Sequence, residues 1–313
     1  MLGIQNPALS YFVRRDLLDE IPGSIESIWR LPAAQKLLKK QLPSGAWPDP
    51  QHSKHAGVPT NYELVETYSN LNVLAAMFGV TTAHPAIHAA VEFLFSCQHP
   101  DGDFRGIYGS QYSTNYTGGI LEVIVKNGCT DDDRVDRAFL WLLDHQQANG
   151  GWTIPMQTHG IKSIESTPVL AGRLVYPFQP EKEFAHMVTG IVLRAFAAYP
   201  KYRAHPDAVK AARLITTRFF RKDAYSSRQA PSYWTKYTFP YWWTDLISVL
   251  DALSLMGLSK DMPGINKALA YFHDDQQPEG TWIFSLSKNK SLPDLNGWLT
   301  FMLCRIIKRF YAN

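Results

Sequence analysis

The chain has 313 residues, 45% hydrophobic, 13% aromatic and only 19% charged, with nine tryptophans and a formal net charge of +3. Such a composition buries a sizeable core and excludes a disordered or collagen-like polymer. No apolar run reaches the roughly 18 residues of a spanning helix, and no Lys/Arg block points to nucleic acid. Cys97, Cys129 and Cys304 lie far apart without a Cys-x-x-Cys, so disulfides and a cysteine zinc knuckle are not expected. Met1 to Glu20 carries Arg14, Arg15, Asp16, Asp19 and Glu20 and lacks the pattern of a signal peptide, so a cytoplasmic protein is expected.

In chain order, the first predicted element is a helix near Leu9 to Glu20. It is read as an extension within residues 1–25 that adds a sixth outer element. A repeat then begins. An apolar-periodic stretch ends in a polar turn and an aromatic, as Leu37 to Trp47, Phe93 to Phe104, Trp141 to Trp152 and Tyr271 to Trp282. A decayed copy, Leu214 to Tyr225, keeps neither Gln nor Gly. Each interval between closing aromatics has room for two helices. The helix before each turn is amphipathic. Val135, Phe139, Leu142 and Leu143, for example, follow the acidic cap Asp131-Asp132-Asp133. The helix after each turn is apolar on most faces and therefore buried: Tyr62 to Phe78, Asn115 to Val125, Phe184 to Tyr199, Tyr241 to Met256 and Asn296 to Phe310. Alternating outer and inner helices in five or six hairpins can close into a double ring. An open superhelix is the alternative. A single all-α domain over 1–313 is expected.

The endings Gln146 to Trp152 and Gln276 to Trp282 resemble the repeat of squalene–hopene cyclases, oxidosqualene cyclases and protein prenyltransferase β subunits. The resemblance covers residues ~30 to 313 and implies the α/α toroid of those families. Prenyltransferase β subunits hold zinc with an Asp, a Cys and a His, a constellation not found here, so no metal and no cofactor are expected. Squalene–hopene cyclases carry an Asp-x-Asp-Asp-Thr-Ala run at an inner-helix start. Its counterpart is Trp242-Trp243-Thr244-Asp245, with Asp245 at the last Asp and Thr244 in place of the proton-donating middle Asp.

Candidate residues follow from both arguments. Asp245, His186 and Glu66 are polar groups on apolar helices and are the catalytic candidates. The aromatic run Tyr233 to Trp243 supplies Trp234, Tyr237, Phe239, Trp242 and Trp243 as a pocket wall suited to carbocations. Glu63, Asn115 and Tyr116 at inner-helix starts, with the loop cations Arg105 and Arg173, complete the substrate-binding set; packing as core, caps or solvated charge is the alternative for each. Glu122 is expected to pair with Lys126 at i, i+4. His52 and His55, and His84 and His88, lack a third ligand.

The expected function is a terpenoid-cyclase-like enzyme that protonates an isoprenoid or other apolar substrate without metal. The alternatives are a non-catalytic toroid binding a lipid or partner protein, and a carbohydrate-active enzyme using Glu63 and Glu66. The basic, amphipathic Arg305 to Phe310 run reads as a capping helix, with peripheral membrane contact as the second reading.

Overall fold

The structure is a computed structural model and describes residues 5–52, 61–161, 174–225, 228–286 and 294–312. It is all-helical. Among the described residues the one sheet-like pairing is an isolated parallel bridge between Tyr237 and Leu286. The principal helices are α1 (Pro7–Asp16), α2 (Pro32–Leu38), α3 (Tyr62–Phe78), α4 (Pro85–Ser96), α5 (Thr114–Lys126), α6 (Asp133–Asp144), α7 (His186–Ala198), α8 (Pro206–Thr216), α9 (Leu246–Leu255), α10 (Pro263–Asp274) and α11 (Leu295–Ala312). None of them is long and apolar enough to cross a membrane.

Outer helices declare their starts in the sequence. Helices α2, α4, α8 and α10 open on a proline, whose fixed φ and missing N–H suit the first turn. Helix α6 opens on Asp132, which accepts from the Arg134 N–H. Inner helices α3, α5, α7, α9 and α11 pack each on the next, and α4, α6 and α8 lean on α3, α5 and α7 from outside. Gly118 brings α5 against α7. A methyl there would lie 2.9 Å from the Val192 Cα, so the two helices meet at backbone distance.

Each corner of the ring is one device built from the repeat. The side-chain amide of Gln41 donates to Gly45 O at 2.8 Å, across its own turn, and to Ala86 O at 2.7 Å, in the first turn of the next outer helix. Gln98 does the same to Gly102 O and Arg134 O, and Gln146 to Gly150 O and Asp207 O. One amide thus closes a turn and fixes the neighbouring outer helix beside it. Gly45 has φ +87°, and a Cβ there would sit 2.3 Å from Ala89 O, so no other residue fits the turn. The closing indoles of Trp47, Trp152 and Trp282 are fully buried and donate back to Leu37 O, Leu142 O and Phe272 O, capping orphan carbonyls at the outer-helix ends. The loops of the first three corners are tied inward by Thr67, Thr117 and Thr189, whose hydroxyls accept from the N–H of Trp47, Phe104 and Trp152 at 2.8–2.9 Å.

Two expectations are corrected. Helix α1 packs on α11 and on α3, with the Phe12 ring 5.9 Å from Trp298 and 6.3 Å from Phe301. It therefore closes the inner ring between the first and last inner helices and is not an outer element. The closed ring also sets aside the open superhelix. In the decayed repeat the corner aromatic is Trp234 and not Tyr225. Trp234 is buried, packs edge-on to Phe219 at 5.1 Å and donates to Arg221 O at 3.1 Å, whereas Tyr225 is half-buried.

Candidate functional site

Helices α5 and α7 present their first turns to one end of the ring, and the chain that enters α9 passes beside them. There lies a cavity of about 260 Å³. Tyr68 of α3 stacks on Trp242 with centroids 4.9 Å apart, and Trp242 meets Trp243 edge-on at 6.4 Å. Met187, Val188 and Ile191 of α7 and Ile154 continue the apolar wall, while Asn115, Tyr116 and Gln157 add polar edges. The Arg228 guanidinium lies over the Trp243 ring, 3.4 Å from its centroid, and burial lowers its pKa. Aromatic faces, thioether and branched aliphatics around a few polar atoms form a site for an apolar molecule.

Asp245 is the N-cap of α9. Its Oδ1 accepts the Ser248 N–H at 2.8 Å, its own N–H donates to Ser248 Oγ at 2.9 Å, and its Oδ2 faces the Thr238 N–H at 3.4 Å. The residue is 1% exposed. Burial pushes its carboxyl up to about 7, against the pull of the Ser248 N–H, the Arg194 charge and the Thr238 N–H. Desolvation therefore outweighs the cap and the helix dipole. Asp245 follows the Trp242-Trp243 wall by two residues, but its carboxylate is turned to backbone amides and is not on the cavity lining. Thr244, at the position of the proton-donating acid in the resembling cyclases, donates its hydroxyl to Met187 O and packs against Gly190.

Beneath the cavity, charges fill the ring. Glu122 is buried and bridges Lys126 at 2.5 Å, as its spacing predicts, and Arg194 of α7 at 2.8 Å. Burial alone would raise the Glu122 pKa; the Arg194 and Lys126 charges outweigh it and hold it low. Arg194 also donates to Trp243 O at 3.0 Å, coupling this pair to the pocket wall.

The other candidates are dispersed. His186 stacks on Trp234 at 4.5 Å, its Nδ1 is 3.6 Å from Asp223 Oδ1, and burial lowers its pKa. Asp223, not anticipated from the sequence, caps α7 by accepting the His186 and Met187 N–H groups at 2.9 and 3.1 Å. Glu66 is half-buried on α3, raised by burial and by the nearby Asp49 charge; neither it nor Glu63 lines the cavity. Arg105 is held in the second corner by Asp103 Oδ2 at 3.2 Å and Ser110 O at 2.7 Å. Arg173 and His55 lie outside the described residues. Of the aromatic run, Trp242 and Trp243 line the cavity. Trp234 fills the corner, Tyr237 packs on Phe284 at 5.3 Å, and Phe239 stacks on Trp298 at 5.3 Å. Tyr68, Met187, Val188 and Ile191 were missed, because apolar residues at helical spacing look like core until the ring's curvature is known. Among the described residues one cluster, His99, Asp101 and Asp103, brings three ligand-type atoms within 4.8 Å of one another, and Arg105 already occupies one face of it.

Comparison with known proteins gives two kinds of match. The family described as "Squalene-hopene cyclase C-terminal domain" matches residues 67–167. No curated protein matches the chain. Among solved structures, a variant of the type II terpene cyclase MstE from Scytonema, in complex with geranylgeranyl dihydroxybenzoate, aligns over 99% of this chain and 100% of its own at 16% identity, with TM-score 0.43. Another MstE variant, holding merosterolic acid A, aligns over 98% and 99% at 15% identity and TM-score 0.34. A protein from Actinoplanes aligns over 92% and 100% at 12% identity and TM-score 0.32. The family match holds the corner endings Gln98 to Phe104 and Gln146 to Trp152 of an all-helical ring, and over residues 67–167 the chain is similar to the squalene-hopene cyclase C-terminal domain.

Proposed function

We propose that the chain is a terpenoid-cyclase-like enzyme that receives an isoprenoid or similarly apolar substrate at the ring mouth and protonates it without metal. One observation carries this reading: an aromatic wall, Trp242 and Trp243, runs directly into a buried helix-start carboxyl held near neutral pKa at about 7. An acid of that strength is half-protonated at neutral pH and suited to proton donation. In the reaction, the Asp245 carboxylic acid gives its proton to a substrate C=C bond, leaving a carboxylate and a carbocation. Further C=C bonds along the substrate chain close onto that cation, each forming a C–C bond and passing the charge on, aromatic faces attract it, and loss of a proton from a neighbouring carbon to solvent ends the sequence. To reach substrate, the carboxyl must turn from the amides it now accepts.

The second reading is a non-catalytic toroid that binds the same kind of molecule. It is favoured by the orientation of Asp245, whose oxygens face the Ser248 and Thr238 N–H groups. Incubation with squalene and with geranylgeranyl diphosphate in excess chelator separates the two. The enzyme reading expects cyclised product, lowered about a hundredfold or more in a folded Asp245→Asn variant. Stoichiometric binding of geranylgeraniol without product from either substrate supports the second reading. Neither binding nor turnover ends both.

A further inference from the structure

A second cavity lies at the seam where the ring closes, sharing no lining residue with the ring mouth. It measures about 820 Å³ and runs between the start of α1, helix α2, the second half of α3 and the start of α11. Its wall is apolar: Leu37 from α2, Val73, Met77 and Phe78 from α3, and Trp298 from α11. The volume falls within the ~300–1,000 Å³ usual for small-molecule sites. Water held against such a wall has few hydrogen-bond partners. Trp298 is fully buried, and its Nε1–H has no acceptor among the described residues.

The charges on the lining are unequal. Lys36 on α2 and Lys40 one turn further are both exposed at the rim, and neither is paired with a carboxylate among the described residues. The one carboxylate on the lining, Asp294, already accepts the Asn6 side-chain amide at 3.2 Å. An apolar slot of this volume, with two ammonium groups four residues apart at its edge, complements a chain that is hydrocarbon along its body and negative at one end.

We propose that this seam groove binds a single-chain amphiphile with an anionic head group, its tail against Leu37, Val73 and Met77 and its head at Lys36 and Lys40. The proposal concerns a site separate from the ring mouth and does not depend on the catalytic reading. The probe is dodecanoate, compared with the neutral dodecan-1-ol, titrated calorimetrically into the full chain. Dodecanoate is expected to bind one-to-one and more tightly than the alcohol. The double substitution Lys36→Glu/Lys40→Glu, on exposed positions, should weaken dodecanoate about tenfold or more and leave the alcohol unchanged. Ala33→Trp, filling the slot from its exposed rim, should abolish both. Equal affinities untouched by charge reversal would overturn the anionic head, and binding that survives Ala33→Trp would overturn the groove. Loss of dodecanoate binding in Trp242→Ala would assign the ligand to the ring mouth, overturning this proposal while leaving the proposed function standing. Binding only after removal of residues 1–4 would make the chain's own start the occupant and would equally overturn it.

Discussion

The third corner of the ring and the fourth are built from the same plan and end differently. In the third, Gln146, Gly150 and Trp152 close the turn within seven residues, and Thr189 ties it to α7. In the fourth, the Gln and Gly are gone. The chain leaves α8, sends Asp223 sideways to cap α7, and plugs the corner with Trp234. It delivers Arg228 to the cavity before that plug, and Trp242 and Trp243 after it, ahead of Asp245 at the start of α9. A corner that follows the repeat spends its polar residues on closure. A corner that abandons it replaces the tight turn with an irregular segment, and that segment contributes Arg228, Trp242 and Trp243 to the cavity wall. The broken corner thus supplies one wall of the site, opposite residues of α3, α5, α7 and the loop after the third corner.

The sharpest way to break this comparison is to remove the two corner indoles. If Trp152 and Trp234 do the same structural job, Trp152→Ala and Trp234→Ala each lose about 3–5 kcal/mol in denaturant unfolding, as for other buried aromatics. A Trp234→Ala loss below about 1 kcal/mol would return Trp234 to the ligand-binding set.

The pH dependence of stability isolates Asp245. An acid whose folded pKa of about 7 lies above its unfolded value near 3.9 binds more protons when folded. Its penalty is absent below about pH 4 and grows as pH rises toward 7. His186, lowered by burial, acts in the opposite sense below its unfolded pKa, so the test is a difference between variants. Asp245→Asn keeps the cap and should gain on the wild type by on the order of a few kcal/mol between pH 4 and 8. Parallel curves would mean that the carboxyl is ionised throughout.

A smaller effect tests the regular corner. Gln146→Ala frees the acceptors Gly150 O and Asp207 O and should cost about 2 kcal/mol, with no change in ligand affinity.

How much of this was legible beforehand varies with the range of the forces involved. The corners were readable because Gln, Gly and Trp act within one turn, and the Glu122–Lys126 pair because it lies on one helix. The place of α1 was not, since Leu9, Phe12 and Val13 make an ordinary amphipathic stripe, and only its partners Trp298 and Phe301, almost the whole chain away, set it in the inner ring. Trp242, Trp243, Asn115 and Tyr116 were picked out by residue type, and all four line the cavity. Tyr68 and Met187 carried no such mark. Arg194 was hidden for a similar reason: its partner Glu122 lies 72 residues away. Trp234 was hidden by the loss of the Gln and Gly that flag the other corners.

The most direct test of the claim that the broken corner carries the site is geranylgeraniol affinity, measured by calorimetry for Trp242→Ala and Thr189→Val side by side. The first removes the indole stacked on Tyr68 in the cavity wall; the second loosens a regular corner. The account predicts at least about a tenfold loss of affinity for Trp242→Ala with the fold retained. For Thr189→Val it predicts a lower unfolding midpoint with affinity unchanged. Equal affinity losses in the two variants, or undiminished binding by Trp242→Ala, would contradict it.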